Sequence, residues 1–371
     1  MVLSGFATTE GTARYRQHFA AHAAPGHFRQ QDGLWLSSVG VGTYLGEPDA
    51  ETDRRYARAI ARALELGSNV IDTAINYRLQ RSERSVATAL RTLMEQGKLA
   101  RDEVVVCTKA GFLTFDGEPA PDALAYFQEH YVQPGVFSPD DVAAGAHCMT
   151  PRFLEDQLER SRRNLDLDTI DVFYLHNPEM QLTVVLREEF LRRMRAAFEG
   201  LEKWVAAGRI RRYGTATWDG YRKPPEAPDY LSLEELVNLA EAVGGPGHHF
   251  KAIQLPYSLA MPEAFLRPNQ TVAGEKLSLL AAARRLGITV FASASTLQGQ
   301  VTRNFPDQFR AHLNGKLRTD AQRAIQFVRS TPGVGVALVG MSRVEHVEEN
   351  LHLLQVPVQS QEEFLQLFQR V

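Results

Sequence analysis

The sequence alternates short, apolar, β-branched runs with longer amphipathic segments eight times between about residues 39 and 353. Most of the short runs are continuously apolar, which is typical of strands that are buried on both faces of a parallel sheet. The segments between them have the 3.6-residue apolar period of helices that lie against a sheet. The predicted strands cover residues 39–43, 69–73, 103–108, 170–175, 210–215, 252–255, 288–292 and 334–339.

Glycines mark the junctions between these helices and strands. Ile60 and Leu64 share the apolar face of one helical segment, which Gly67 then ends, and Gly208 and Gly287 stand just before two predicted strands. A helix that ends at glycine and runs directly into a strand is the short connection of βα units. Eight such units without a linker predict an α/β fold, the closed (β/α)8 TIM barrel. A doubly wound open sheet is the alternative, but the glycine-rich phosphate turn expected after its first strand is missing.

The segments outside the eight units complete the predicted domain plan. The Asp-Gly pair at 32–33 indicates a β-hairpin within residues 27–37, which we expect to plug the barrel floor. Residues 1–26 are expected to form an N-terminal extension with little regular structure, and residues 27–371 a single barrel domain. The tail 360–371 has the apolar spacing of a last amphipathic helix.

Two predicted loops are longer than plain βα connections. Residues 111–150 follow the third strand and 218–230 follow the fifth. In a barrel both lie on the face that carries active sites, where long loops serve as lids or binding walls. The simplest role of Tyr131 and Phe137 in the first loop is to anchor it to the barrel rim. For His147, in the same loop, a packing or surface role is favoured over contact with a substrate.

Composition and charge exclude several classes of partner. The chain has 41 Lys and Arg against 44 Asp and Glu and no basic stripe, so neither nucleic acid nor a membrane surface is an expected partner. No apolar run approaches the roughly 18 residues of a membrane helix, and residues 1–24 lack the apolar core of a signal peptide. Cys107 and Cys148 are too few for a disulfide framework or a thiolate metal cluster. We therefore expect a cytoplasmic protein without a metal site, whose oligomeric state the sequence leaves open.

Polar side chains stand at the carboxyl ends of three predicted strands. They are Asp72, Lys109 and His176, and Tyr77 lies five residues beyond the first of them. An ammonium group stabilises a nearby phenolate, so Lys109 is expected to lower the pKa of Tyr77, while Asp72 keeps Lys109 charged and in place. Tyr77 would then deliver a proton to a developing alkoxide, and His176 would orient the carbonyl oxygen. Each of these residues alone fits a packing, capping or loop role. An aspartate, a lysine, a histidine and a tyrosine at the same end of the barrel together favour a catalytic role.

These segments resemble the aldo-keto reductase superfamily over residues 28 to 353. The matching text is Val-Gly-Thr-Tyr at 41–44, Ile-Asp-Thr-Ala-Ile-Asn-Tyr at 71–77 with Ser82-Glu83, Val-Cys-Thr-Lys at 106–109, Asp-Val-Phe-Tyr-Leu-His at 171–176, Gln254, and Gly-Met-Ser-Arg-Val-Glu-His-Val-Glu-Glu-Asn at 340–350. The resemblance implies a TIM barrel that binds extended NADP(H) without a Rossmann domain. Hydride would pass from nicotinamide C4 to the carbonyl carbon of an aldehyde, ketone or sugar, or in reverse from the alcohol, with Tyr77 as the proton donor.

The resemblance also implies the contacts of the cofactor. Thr43, Tyr44 and Asp72 would line its nicotinamide end, and Gln254 would hold the carboxamide. The other implied contacts are Thr217 and Ser295 and, for the adenosine half, Gly340, Ser342, Arg343, Glu349 and Asn350. Ser342 and the guanidinium of residue 343 are available for a 2′-phosphate, which favours NADP(H), with NAD(H) as the alternative.

Three departures from the family pattern bear on function. Ala216-Thr217 replaces the usual Ser-Asn pair, Ala294 stands where an aromatic side chain commonly stacks on nicotinamide, and His346 stands where Arg or Gln is common. Trp218 or the long third loop is expected to cover the ring instead. The departures leave a second hypothesis open, a nucleotide-binding regulatory subunit with low turnover. A metal-dependent barrel hydrolase is disfavoured because the first strand does not end in His-x-His.

Overall fold

Eight parallel strands close into a barrel, in a computed structural model that describes residues 2–303, 305–313 and 316–368. The described residues contain twelve strands, of which eight form the barrel and four form two hairpins. The twelve strands are β1 (Phe28–Gln31), β2 (Leu34–Ser37), β3 (Val39–Gly42), β4 (Val70–Asp72), β5 (Val105–Ala110), β6 (Ile170–His176), β7 (Ile210–Ala216), β8 (Phe250–Pro256), β9 (Gln270–Val272), β10 (Glu275–Leu277), β11 (Thr289–Ser293) and β12 (Val336–Gly340). The barrel order is β3-β4-β5-β6-β7-β8-β11-β12. The predicted (β/α)8 TIM barrel is confirmed.

Helices occupy the connections between the barrel strands and both ends of the described chain. They are α1 (Thr9–His18), α2 (Ala50–Glu65), α3 (Arg81–Glu95), α4 (Ala123–Phe127), α5 (Pro151–Leu165), α6 (Arg187–Ala206), α7 (Leu233–Gly244), α8 (Glu263–Leu266), α9 (Leu279–Arg285), α10 (Gln300–Arg303), α11 (Asp307–His312), α12 (Asp320–Ser330), α13 (Val344–Leu351) and α14 (Gln361–Gln366). Shorter 3₁₀ or π turns cover Arg101–Glu103, Gln128–Val132, Pro139–Asp141, Pro178–Thr183, Leu297–Gly299 and His352–Gln355.

Helix α2 shows how the sequence specifies one βα unit. Asp49 begins the helix by accepting a hydrogen bond from the backbone N–H of Thr52 at 2.7 Å. Ile60 and Leu64 are buried against the sheet. Gly67, with φ of 94°, turns the chain after the helix toward β4. The helix therefore begins at a side-chain cap and ends before a residue that tolerates a left-handed backbone.

The hairpin β1–β2 closes the amino-terminal end of the barrel. Asp32 and Gly33 adopt φ values of 45° and 81°, as a two-residue hairpin turn requires. Leu34 and Leu36 are buried in the barrel interior with Val105, the first residue of β5. The predicted hairpin and its place at the barrel floor are confirmed.

The N-terminal segment is more ordered than we expected from its sequence. It forms α1, in which Tyr15 is buried and donates a hydrogen bond to the carbonyl of Leu64. Upstream, the backbone N–H of Ala7 donates to Asp171 Oδ1 at 2.7 Å. The expectation of little regular structure in residues 1–26 was wrong because this short helix depends on contacts with the barrel, which a local pattern does not reveal.

The long connection between β5 and α5 has a small core of its own. Tyr131, Phe137, Cys148 and Phe153 pack together, and the ring centroids of the first two lie 5.5 Å apart. Tyr131 and Phe137 were expected to anchor the loop to the barrel rim, but they pack among side chains of the loop itself and against Phe153 of α5.

Two small elements complete the carboxyl-terminal half. The hairpin β9–β10, which the sequence analysis missed, turns at Ala273 and Gly274, both with positive φ. Helix α14 confirms a helix in the predicted tail and buries Phe364, although residues 369–371 of that tail lie outside the described residues. Among the described residues no helix combines the length and the apolarity needed to cross a membrane.

Candidate active site

The pairing of neighbouring strands aligns the predicted site residues at one end of the barrel. Gly42 pairs with Asp72, His176 with Ala216, and Ala216 with Gln254. These residues lie at or near the carboxyl ends of their strands, so their side chains surround the mouth that barrels use for binding. A cleft of about 1010 Å³ opens at this mouth.

Most of the predicted site residues line this cleft. They are Thr43, Tyr44, Asp72, Tyr77, His176, Thr217, Gln254, Ser295, Gly340, Ser342, Glu349 and Asn350. Lys109 is fully buried behind the wall. Arg343 is exposed at the start of α13 and is not part of the wall. The structure thus brings the predicted residues together, with the exception of the guanidinium assigned to the 2′-phosphate.

A buried ion pair lies beneath the cleft. Lys109 Nζ donates to Asp72 Oδ2 at 2.7 Å and to the carbonyl oxygen of Thr73 at 2.8 Å. Gln254 Nε2 donates to Asp72 Oδ1, also at 2.7 Å, so both oxygens of the carboxylate accept a hydrogen bond. Burial lowers the pKa of Lys109, but Asp72 and Tyr77 outweigh it and leave the pKa above its ordinary value. The ammonium group is therefore charged and fixed in one position.

Tyr77 shares its surroundings with this ammonium group. Lys109 Nζ lies 4.7 Å from the centre of the Tyr77 ring. Burial raises the pKa of the phenol and the charge of Lys109 opposes that rise, with the net pKa above the ordinary value. The expected effect of Lys109 has the predicted sign, but desolvation exceeds it. At neutral pH Tyr77 is consequently a protonated phenol and can act as a hydrogen-bond donor toward the cleft.

His176 stands opposite Tyr77 as a neutral imidazole. The ring centroids of the two residues are 5.9 Å apart, and Phe112 packs edge-on against His176 at 4.9 Å. Burial lowers the pKa of His176 well below its ordinary value, and the charge of Lys109 adds to this effect. The neutral ring carries one N–H, so it can donate a single hydrogen bond to a ligand oxygen.

The rest of the cleft offers unpaired polar atoms and open space to a ligand. Four buried polar atoms of its lining residues have no hydrogen-bond partner within the described ranges: Asn76 Oδ1, His176 Nδ1, Thr217 Oγ1 after β7 and Asn350 Oδ1 on α13. Such atoms are costly to bury unpaired, which points to a polar ligand. A Cβ at Gly340 would meet no atom within 4 Å, so the wall there is open. Thr217 Oγ1 and Asn350 Oδ1 belong to different βα units, as contacts of the two ends of a long ligand would.

The sequence analysis missed a buried carboxyl group that shapes the edge of the cleft. Glu179 Oε1 accepts hydrogen bonds from the backbone N–H groups of Trp218 at 2.8 Å, Asp219 at 3.2 Å and Gly220 at 3.4 Å. Burial raises the pKa of Glu179 to about 7 in spite of these donors. The group holds the start of the insert after β7, with Trp218 lining the cleft at 48% exposure. The available signal was an acidic residue three positions beyond His176, just after a strand end.

Comparisons with known proteins point to one family. The sequence model described as the aldo/keto reductase family matches residues 38–239, more than half of the chain. A D-threo-aldose 1-dehydrogenase from a Pseudomonas species is 32% identical over 166 residues, which cover 44% of this chain and 44% of that enzyme. A putative voltage-gated potassium channel subunit beta from Schizosaccharomyces pombe is 22% identical and covers 90% of this chain and 89% of its own length.

Solved structures share the fold. An aldo/keto reductase from Klebsiella pneumoniae, in complex with NADP and acetate, superposes with a TM-score of 0.60 at 23% identity, over 93% of this chain and 94% of that one. The glycerol dehydrogenase of Gluconobacter oxydans superposes with a TM-score of 0.64 at 18% identity, over 92% and 94% of the two chains.

Proposed function

This chain belongs to the aldo/keto reductase family, and we propose that it is an NADP(H)-dependent oxidoreductase that interconverts a small carbonyl compound and its alcohol. The carbonyl would belong to an aldehyde, a ketone or a sugar. The observation that carries the proposal is the fully buried Lys109, whose ammonium group contacts Asp72 and lies beside the ring of Tyr77 at the wall of the cleft. Burying an ammonium group is costly without a partner, and this one is placed where a proton donor would need it.

The residues of the cleft have different roles in the proposed reaction. Bound NADPH supplies a hydride to the carbonyl carbon. Tyr77 donates its proton to the carbonyl oxygen as negative charge develops there, and Lys109 stabilises the phenolate that remains. His176 donates a hydrogen bond to the same oxygen and fixes its direction. Asp72, held by Gln254, keeps Lys109 in place throughout.

The nucleotide would be held by residues from several βα units. Thr43, Tyr44, Thr217 and Gln254 would contact its nicotinamide end, with Thr217 Oγ1 in place of the family's usual pair of polar side chains. Ser295 would be a further contact of the cofactor, and the adenosine half would contact Gly340, Ser342, Arg343, Glu349 and Asn350. Trp218 is the aromatic side chain nearest in sequence to the nicotinamide contacts of β7, so it is our candidate for covering the ring.

Turnover of NADPH tests this function directly. The protein is mixed with NADPH and a panel of aldehydes, ketones and sugars, and the absorbance at 340 nm is followed. We expect oxidation of NADPH with at least one carbonyl class. Tight binding of NADPH without turnover on the whole panel would instead favour the regulatory subunit, a hypothesis to which the similarity with a channel subunit adds weight.

The dependence on pH should follow the protonation of Tyr77. Reduction needs the phenol and oxidation needs the phenolate, and burial raises the pKa of this group. We expect reduction to persist through neutral and mildly alkaline pH and to fall only as the pH passes the raised pKa, while alcohol oxidation rises over the same alkaline interval. Profiles of kcat/KM in both directions measure this. A reduction profile with its alkaline midpoint near neutrality would assign the proton donor to another group.

Arg343 is expected to favour the binding of NADPH over that of NADH, although its side chain is exposed in this structure. A guanidinium contact with a 2′-phosphate is charge-assisted, so Arg343→Ala is expected to weaken NADPH binding about tenfold or more. The affinity for NADH, which lacks that phosphate, should stay nearly unchanged. Titrations of protein fluorescence with each nucleotide give both constants. Equal weakening of NADPH and NADH would remove the assignment of Arg343 to the 2′-phosphate.

A further inference from the structure

A chain of hydrogen bonds runs behind His176 from the long loop. His147 lies at the end of that loop and is 1% exposed. Its Nε2 lies 2.7 Å from the backbone carbonyl oxygen of His176. Gln181 Nε2 lies 2.8 Å from His147 Nδ1, and Arg193 Nη1 of α6 donates to Gln181 Oε1 at 2.5 Å. The loop after β5 and the turn after β6 therefore meet at the His147 imidazole, and helix α6 is linked to it through Gln181.

The partners at the two ends fix every proton in this chain. Arg193 can only donate, so the oxygen of the Gln181 amide faces it and the NH₂ group faces His147. The carbonyl of His176 can only accept, so His147 carries its proton on Nε2 and accepts from Gln181 on Nδ1. Burial lowers the pKa of His147 to about 4, which keeps the ring neutral and this tautomer in place at neutral pH.

The fit around His147 is tight on the side of the catalytic histidine. A Cβ built at Gly111 would lie 2.7 Å from His147 Nε2 and 3.0 Å from the carbonyl oxygen of His176. The imidazole can therefore reach this carbonyl only because residue 111 has no side chain. The ring of Phe112 makes an edge-on contact with both imidazoles, with centroid distances of 5.4 Å to His147 and 4.9 Å to His176. Phe112 and His176 both line the cleft.

We propose that His147 is a positioning residue: its Nε2–H holds the backbone of His176, and with it the direction of the hydrogen bond that His176 donates to the carbonyl oxygen of the substrate. The inference rests on the proposed function for its catalytic consequence. It assigns the long loop a specific role, because the loop supplies a buried donor to His176, the last residue of β6. Small displacements of an orienting group are costly to a reaction that needs aligned atoms.

Two variants of His147 and one control test the proposal. His147→Phe keeps a ring but removes the donor, and His147→Gln keeps an amide N–H near the same place. Tyr131→Phe is the matched control, since it removes another buried hydrogen bond of this loop, the one to the carbonyl of Thr114, outside the cleft. We expect His147→Phe to lower kcat about 10- to 100-fold with the Kd for NADPH almost unchanged, and His147→Gln to recover most of kcat. Tyr131→Phe should leave kcat unchanged.

A spectroscopic readout separates this inference from the proposed function. The imidazole signals of His176 are followed by ¹⁵N NMR and assigned by their loss in His176→Asn. We expect them to shift in His147→Phe and not in Tyr131→Phe. Equal kcat and unshifted signals in a folded His147→Phe, or in His147→Gln if the first variant fails to fold, would overturn the proposal. If the wild-type chain reduces no carbonyl while the signals still shift, the proposed function fails and the positioning role stands.

Discussion

Tyr77→Phe is expected to lower carbonyl reduction by about 10²- to 10⁴-fold, the usual contribution of a positioned general acid. The variant removes only the phenol oxygen, and the buried pair of Lys109 and Asp72 stays intact beneath it. The Kd for NADPH should therefore remain within about twofold of the wild type, since such a conservative change touches no contact proposed for the nucleotide. Stopped-flow or steady-state reduction of the best carbonyl of the panel, with a parallel titration of NADPH, measures both quantities.

A second buried phenol serves as the control. The hydroxyl of Tyr257 accepts a hydrogen bond from Thr331 at 3.1 Å and lies outside the cleft, so Tyr257→Phe removes a comparable group from the core alone. It should change the free energy of unfolding by about 1 kcal/mol and leave the rate of reduction unaltered. Wild-type turnover in Tyr77→Phe would show that another group donates the proton.

Lys109→Met should abolish reduction and also destabilise the fold. The substitution leaves the carboxylate of Asp72 buried with only Gln254 as a donor, and breaking a buried ion pair in this way typically costs about 3–5 kcal/mol. Reduction should fall by at least about 10²-fold, because the phenolate of Tyr77 then forms without a neighbouring positive charge. Urea unfolding and the 340 nm assay report the two effects separately.

The double variant separates the chemical effect of Lys109 from its structural effect. Adding Asp72→Asn to Lys109→Met removes the unpaired charge, so part of the lost free energy of unfolding should return while reduction stays absent. The changes in the free energy of unfolding caused by the two substitutions are not expected to add, because the two groups are in direct contact. Recovery of the rate together with the stability would show that Lys109 acts only by holding the fold together.

The barrel was predictable because each of its signals is local. Apolar runs of strand length, amphipathic helices and glycines such as Gly67 recur eight times with short connections, and the glycine-rich turn expected of a doubly wound open sheet is missing. Asp72, Lys109 and His176 could be placed at one mouth because strand ends of a parallel barrel share a layer. The hairpin at 32–33 followed from its turn residues alone.

The features that sequence reading missed depend on contacts between distant segments. Helix α1 is held by Tyr15 against the end of α2, some 49 positions away in the chain. The role of Glu179 becomes clear only from the structure, in which the backbone N–H groups of Trp218 and the next two residues donate hydrogen bonds to its carboxyl group. The direction of the shift in the pKa of Tyr77 also needed the structure. Burial raises this pKa by more than the charge of Lys109 lowers it, and only the effect of the lysine could be read from the sequence. His147 looked like a packing residue because its partner is a backbone oxygen.

The leucines of β2 have a practical consequence for experiments on this protein. Leu34 and Leu36 fill the amino-terminal end of the barrel, and the cleft opens at the opposite, carboxyl-terminal end. The backbone N–H of Gly5 donates to Asp168 just ahead of β6, so the start of the chain lies on the filled side. An affinity tag or a surface tether attached there would face away from the cleft, and immobilised protein should keep free exchange of substrate and nucleotide.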